Sequence, residues 1–371
     1  MGQRPRTLEG LEALTVRPSR RDGGFWSGRR VLMTGHNGFK GSWTALWLRH
    51  LGAEVTGISL PAEPNSLGSL LGIERLVRSY QIDIRDPDAL SVAVQACDPE
   101  VVLHMAAQPL VRRSLKEPVE TFATNVMGTV NLLDALRQVD GLQAVLVVTT
   151  DKVYVPSPIG KPHTETDCLG GRDPYAGSKA ACELATAAMA DSYFSPKGIP
   201  VATARGGNVI GGGDFTTDRL VPDVVRSALS GQPLVLRNPE ATRPWHHVLD
   251  CVSGYLTYLA ALTQRPELPR ALNFGPPPDA PRIMVGTLAS AMLDALGAAT
   301  EWAYEDTAQP PETHLLEIDS RLARDVLDWR DRLPGLAMID ATAAWYRAWA
   351  ESEQHVRDIT QSQIETYEAL P

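Results

Sequence analysis

The chain has 371 residues, 43% of them hydrophobic and 21% charged, an ordinary balance for a globular protein and more length than one small core needs. Its 44 acidic and 35 basic residues give a formal net charge of -9, which argues against nucleic acid as the main partner but allows a local phosphate pocket. Cys97, Cys168, Cys182 and Cys251 have neither metal-site spacing nor the density of a secreted disulfide scaffold, and no apolar run is long enough to cross a membrane; a cytoplasmic protein with reduced thiols and no metal is expected.

The first 24 residues are Arg-rich but lack the apolar core of a signal peptide, and read as a flexible extension. After them "RRVLMTG" reads as a buried strand, "SWTALWLRHLG" as a helix, "AEVTGISL" as a second strand and "SYQIDIRD" as a third. "DALSVAVQAC" is helical, "PEVVLHMAAQ" a strand ending in small residues, "TFATNVMGTVNLLDALRQV" a long helix and "QAVLVVTTD" a strongly β-branched strand. Helix "YAGSKAACELATAAMADSYF" and strand "IPVATARGGNVIG" follow, the latter running into a glycine-rich loop. Continuously apolar strands alternating with helices predict an α/β fold, a doubly wound parallel sheet covered on both faces. Past residue 210 the alternation weakens. The expected elements there are helix "LVPDVVRSALSG", strand "QPLVLRN", helix "VLDCVSGYLTYLAALTQ", a Pro-rich loop, helix "VGTLASAMLDALG", a loop through "DTAQPPETH" and a closing helix "MIDATAAWYRAWAESEQHV".

Gly35, Gly38 and Gly41 sit at three-residue intervals between the first strand and its helix. Such glycines let backbone N–H groups approach a pyrophosphate at the positive end of the helix, so a dinucleotide loop in a Rossmann-like domain is favoured over a plain turn. The expected organisation is a dinucleotide-binding domain over residues 25–205, with a return of residues 246–276, and a smaller, mostly helical substrate lobe over residues 206–371. Ser59 and Leu60 stand where an acid would hold the ribose of NAD, yet residues 57–72 offer no Lys or Arg for the 2′-phosphate of NADP. The missing cation favours NAD; the missing acid leaves the choice open at this point. Asp83 and Ile84 suit adenine contacts and a strand-end turn equally well.

"YAGSK" puts Tyr175 and Lys179 four residues apart on one helix face, where an ammonium would favour the phenolate. By itself the pair means little. "VVTTDKVY" adds Thr150 at the carboxyl edge of the sheet, where ligands sit, and the three together point to an oxidoreductase site acting on a substrate hydroxyl.

At these residues the chain resembles the extended short-chain dehydrogenases/reductases. "TGHNGFKGSW", "HMAAQPLVRRS", "TNVMGTVNLLDA", "TTDKVY", "YAGSKAACE", "GNVIGGGDF", "DRLVPDVVR" and "RPWHHVLDCVSGYL" together are similar to the CDP-glucose 4,6-dehydratase family, from about Phe25 to about Trp349. The resemblance implies a homodimer, possibly a tetramer, with bound NAD, converting CDP-glucose to CDP-4-keto-6-deoxyglucose. It implies cofactor contacts from Gly35, Asn37, Gly38, Phe39, Gly41, Asp83, Ile84, Ala106, Ala107, Gln108, Tyr175 and Lys179, with Asn125 buttressing the site through hydrogen bonds. Tyr175 would deprotonate the sugar O4. Asp151 would protonate the departing C6 hydroxyl, and Lys152, standing where dTDP-glucose dehydratases carry Glu, would take the C5 proton. A 4-epimerase would need Thr150, Tyr175 and Lys179 but not the Asp151–Lys152 pair.

Asn208, Arg219 and Arg243 match the family's substrate-side motifs and are assigned to pyrophosphate and sugar, Arg being suited to bidentate phosphate contacts. Arg237 fits either a place near the nucleobase or an ordinary strand surface. The chain departs from the family at Gly206-Gly207, usually Ala-Gly, at His246, usually Gln, and over residues 59–72. Another nucleotide sugar, on GDP, UDP or a modified CDP carrier, and a 4-epimerase therefore remain as alternatives. A non-catalytic NAD-binding sensor would predict loss of Tyr175 or Lys179, and both are present.

Overall fold

The computed structural model describes residues 24–157, 161–304 and 316–371. The expected N-terminal extension, apart from Gly24, and the expected loop over residues 306–314 lie outside the described residues.

Seven strands, β1 (Arg30–Thr34), β2 (Glu54–Ser59), β3 (Arg78–Gln81), β4 (Val101–His104), β5 (Ala144–Thr150), β6 (Val201–Gly206) and the later Ala271–Phe274, form one sheet. Four short strands lie in the C-terminal half: β7 (Asn208–Ile210), β8 (Leu234–Leu236), β9 (Trp245–His247) and β11 (Trp302–Tyr304), with Ala271–Phe274 taken as β10. The large sheet has the order β10-β6-β5-β4-β1-β2-β3 and every pairing in it is parallel. This is the doubly wound order, which reverses between β1 and β4 and opens a crevice at their carboxyl ends.

Side-chain alternation along each strand divides the core in two. Leu32, Val102, Val145 and Val147 join Ile84, Leu132 and Phe194 on one face. Val31, Met33, Leu103, Leu146 and Val148 turn to the other face and meet Trp43, Trp47, Tyr255 and Phe274. That second cluster continues without a break into Leu288, Trp345 and Tyr346, so the C-terminal lobe shares its core with the sheet. β5, "AVLVVTT", is buried at all seven positions, as a central parallel strand covered on both faces must be.

Two elements differ from expectation. The third strand stops at Gln81, because Asp86 caps the next helix by accepting from Ala89 N at 3.0 Å and Pro87 occupies its first turn. The closing helix is two helices, Leu336–Glu351 and His355–Ala369. The break falls at Ser352, whose hydroxyl accepts from Gln354 N at 3.2 Å, an alternative partner that competes with helix continuation. The second of these helices buries only Val356, Thr360, Ile364 and Tyr367 among mostly polar residues, and the expected closing helix ended at its second residue.

Candidate functional site

The loops that follow β1, β4, β5 and β6 meet at one edge of the sheet. In the first, Gly35 has φ +75°, and a Cβ there would stand 2.9 Å from the backbone of Ala106. A Cβ on Gly41 would collide with the Gly35 carbonyl, so the helix Phe39–His50 reaches its place only with glycine at that position. Phe39 and Gly38 open that helix, and Gly38 is exposed beside the loop. Asn37 is buried; its Nδ2 donates to Leu60 O at 2.9 Å and to Glu74 Oε1 at 2.8 Å, while its Oδ1 has no partner.

Under the loop lie two histidines that sequence reasoning left without a role. His36 is buried against Gly57, whose Cβ would strike the imidazole, and contacts Ser79 Oγ at 2.8 Å. Burial pulls its pKa down to about 4, so the ring is neutral. His104 ends β4. Thr34 Oγ1 accepts from Met105 N at 3.1 Å and Ala106 N at 3.0 Å, so its own proton points to His104 Nδ1 at 2.6 Å. His104 Nε2 then donates to Thr129 Oγ1 at 2.9 Å, and that hydroxyl donates to Asn125 O at 2.8 Å. Burial and then the Lys179 charge lower the His104 pKa to about 3, which keeps this chain of neutral hydrogen bonds intact.

The chain of bonds ends on the expected buttress. Asn125 Oδ1 accepts from Gln108 N at 2.8 Å, and its Nδ2 donates to Gln108 O at 3.1 Å and Ser178 Oγ at 2.9 Å. It sits in a π-turn, Ala123–Met127, within a longer helical stretch, the kind of irregularity that re-aims a side chain. Ala106, Ala107 and Gln108 are thereby fixed between the glycine loop and the helix Pro174–Met189. Asp83 is held by Arg85, with Oδ2 accepting at 2.6 Å, and its carboxyl lies below the usual range for that reason. Ile84 is a core residue packed against Gly128.

Past β5, Thr150 Oγ1 donates to Asp151 Oδ1 at 2.9 Å. Asp151 is 1% exposed, and its Oδ2 is buried with no hydrogen-bond partner. Lys152 Nζ lies 4.0 Å from Asp151 Oδ1 with a partly exposed side chain, so a carboxyl and an amine converge from consecutive residues. Tyr175 is buried beside the Thr150 hydroxyl. Burial pushes its phenol up to about 12, with Thr150 and the Arg219 charge acting in the opposite direction. The expectation that Lys179 lowers this phenol meets a different arrangement: Lys179 Nζ donates to Val148 O at 3.0 Å, and burial, with Lys40 adding to it, lowers its own pKa.

One turn beyond Lys179, Glu183 continues the same helix face and anchors it to the sheet. Arg205 at the end of β6 donates to Glu183 Oε2 at 2.7 Å and Oε1 at 3.0 Å, and both side chains are buried. Thr149, next to Thr150, also donates to Glu183, and Arg205 reaches Tyr154 OH at 2.8 Å. Tyr154 passes the bond to Asn273 Oδ1 at 2.6 Å on β10. The turn carrying Asp151 and Lys152 is therefore clamped on both sides. The alternation of the strands hid this pair, since Arg205 reads as part of an apolar run.

On the substrate side, Asn208 Oδ1 is buried without a partner. Arg219 approaches Asp214 Oδ2 at 3.3 Å. Arg237 lies 3.8 Å from Asp218, which also accepts from Arg112 Nη1 at 3.0 Å; the sequence reading singled out neither Arg112 nor Asp218. Arg243 Nη1 donates to Thr242 O at 2.8 Å. The departure from the family pattern at Gly206 has a packing cause here, since the Tyr255 hydroxyl occupies the space a Cβ would need; Gly207, which matches the pattern, is also held to glycine, a Cβ there standing 2.6 Å from Pro244 O. His246 is buried with both ring nitrogens unpartnered, its pKa lowered to about 3 chiefly by burial. Among the described residues no cluster of His, Cys, Asp or Glu could hold a metal ion, and no helix is long and apolar enough to cross a membrane.

Similarity to known proteins agrees with this geometry. A CDP-glucose 4,6-dehydratase from Salmonella typhimurium is 40% identical over 340 residues, covering 90% of this chain and 94% of that protein. A dTDP-glucose 4,6-dehydratase from Xanthomonas campestris is 29% identical, covering 85% of this chain and 92% of its own length. The crystal structure of a Thermus thermophilus UDP-glucose 4-epimerase in complex with NAD superposes with a TM-score of 0.74 at 26% identity, covering 86% of this chain and 99% of that one. Residues 31–275 match the model of the NAD dependent epimerase/dehydratase family, and the chain belongs to that family.

Proposed function

We propose that this chain is a lyase that removes water across C5 and C6 of a nucleotide-activated hexose, with CDP-glucose as the substrate and CDP-4-keto-6-deoxyglucose as the product. The observation that carries the reading is Asp151, buried with an unpartnered Oδ2 between Thr150 and Lys152 and close to Tyr175. A 4-epimerase has no use for that pair. The likeness to the Salmonella enzyme supports the CDP carrier.

The glycine cradle, in which a side chain at Gly35 or Gly41 has no room, and the unpartnered Asn37 Oδ1 fit a dinucleotide. NAD, when bound, supplies a reversible hydride acceptor and a positive charge that favours a phenolate. Gly35, Asn37, Gly38, Phe39 and Gly41 would hold it, with Ala106, Ala107, Gln108, Asp83 and Ile84 along the crevice and Lys179 beside Tyr175.

Thr150 and Tyr175 bind the sugar O4, and Tyr175 takes its proton as C4 is oxidised. The resulting 4-ketone acidifies C5–H. Lys152, acting as the neutral amine, removes that proton while Asp151 protonates the C6 hydroxyl, which leaves as water; return of the hydrogen taken from C4 to C6, and of a proton to C5, then gives the 4-keto-6-deoxy sugar. Asn208, Arg219 and Arg243 bind the diphosphate and sugar, and Arg237 lies toward the nucleobase, with Arg112 as a further candidate. Incubation with CDP-glucose and no added reductant tests this reading. A product lighter by one water is expected; an isomer of unchanged mass would replace dehydration with epimerisation.

The same reading includes a homodimer. Val119, Phe122 and Met127 on one helical stretch and Leu184 on the neighbouring helix are exposed, an apolar face that supports pairing with a second copy. Sedimentation velocity on the wild type and on Leu184→Glu tests it, with dissociation of the variant to monomers expected and an unchanged wild-type monomer contradicting it.

A further inference from the structure

The second strand of this fold ordinarily ends near an acid, about 20 residues beyond the glycine loop, that holds the adenosine ribose and rejects a 2′-phosphate. Ser59, Leu60 and Pro61 occupy that stretch here. A carboxylate nevertheless arrives at the same place from farther along the chain. Glu74 Oε1 accepts from Asn37 Nδ2 at 2.8 Å and from Ala62 N at 3.2 Å, and the same Asn37 amide donates to Leu60 O at 2.9 Å. Glu74 is thus bonded both to the glycine loop and to the backbone just past β2.

Local sequence explains how it gets there. Gly68 lies so close to Asn37 that a Cβ would stand 2.6 Å from Asn37 O, so residues 63–76 close directly onto the loop. Gly72, at φ +62°, makes the turn that starts the short helix Ile73–Leu76. Glu74 Oε2 has only a long 3.3 Å bond from Gln81, which leaves lone pairs for hydroxyl donors. Among the described residues no ion pair neutralises Glu74, and the guanidinium of the adjacent Arg75 lies back against Gly72. Beside it, Asn37 Oδ1 is buried and unpartnered.

We propose that Glu74 is the residue that selects NAD over NADP, accepting from the adenosine ribose hydroxyls and repelling a 2′-phosphate. This rests on the cofactor reading above. A carboxylate accepts strongly from a hydroxyl, and juxtaposing it with a phosphate is costly. Where this fold ordinarily ends its second strand near an acid, this chain delivers one from a folded-back segment.

The test is tryptophan-fluorescence titration of nucleotide-stripped protein with NAD and with NADP, for the wild type and Glu74→Gln. Gln retains an acceptor for Asn37 and Ala62, so the loop is kept; Glu74→Ala and a circular dichroism spectrum serve as controls for folding. The wild type should prefer NAD, and Glu74→Gln should weaken NAD, strengthen NADP and reduce the preference by about tenfold or more, which is about 1.4 kcal/mol. Equal weakening of both nucleotides would make Glu74 a structural residue only, and an unchanged ratio would leave it no role; either overturns the proposal. A wild type that binds no NAD would overturn the cofactor reading itself, and the proposal with it.

Discussion

Replacing Arg205 by Met removes one member of the buried pair that locks the helix of Tyr175 to the strand of Thr150. The guanidinium makes two bonds to Glu183, one to Tyr154 OH and one to Glu165 O at 3.2 Å. Burial works against its charge, but Glu183 more than offsets this and holds the Arg205 pKa above its ordinary value. In the variant, Glu183 retains only the Thr149 and Thr203 hydroxyls as donors and stays buried. An uncompensated buried charge of this kind costs about 3–5 kcal/mol. Urea unfolding followed by circular dichroism, with the slope held constant, should therefore show a loss of about that size. Glu183→Met combined with Arg205→Met removes the stranded charge, and should recover about 2 kcal/mol or more relative to Arg205→Met alone. A loss below about 1 kcal/mol for Arg205→Met, or a double variant no better than the single one, would refute the reasoning.

Two further predictions concern pH and the phenol. Asp250 is buried under Tyr367, Arg332 N and Leu333 N, and burial raises its carboxyl from 3.8 to about 7. The folded state then binds more protons than the unfolded one between those values, so this group's contribution is full below the lower value and is lost as pH rises through the upper one. The stability of the wild type minus that of Asp250→Asn should fall by about 2–4 kcal/mol between pH 4 and pH 8 in urea titrations; a flat difference would contradict the burial argument. Tyr175→Phe should keep the fold, since the hydroxyl is its only loss, and lower kcat by about 100-fold to 10,000-fold in a product-formation assay. Turnover within a few-fold of wild type would exclude Tyr175 as the base.

The sheet was legible because buried parallel strands are continuously apolar and their helices are periodic, as "AVLVVTT" and the helix Pro87–Cys97, buried at Leu90, Ala93, Val94 and Cys97, show. The neighbourhood of Thr150, Asp151, Lys152 and Tyr175 was legible for a related reason: the end of one strand and the start of the next helix must meet at the carboxyl edge in this topology. What stayed hidden depends on contacts between distant segments. Glu74 lies outside any window counted from the glycine loop, and only the turns at Gly68 and Gly72 bring it back. Arg205 is a charge inside an apolar strand, and nothing local reveals that Glu183 sits opposite. His36 and His104 drew no role from the sequence, because hydrogen-bond partners come to them from β3 and from the helix Gly128–Leu136. The second C-terminal helix was missed because it buries few residues, yet Tyr367 and Glu368 tie it to Asp250 and Trp47.

The central claim is that one hydrogen leaves C4 and returns to C6 of the same sugar while Lys152 and Asp151 remove water between the two events. CDP-glucose carrying deuterium at C4, turned over by the purified enzyme in ordinary water, tests it directly. Magnetic resonance of the product should find the deuterium at C6, with a solvent-derived hydrogen at C5. Deuterium retained at C4, or released to solvent, would contradict the account.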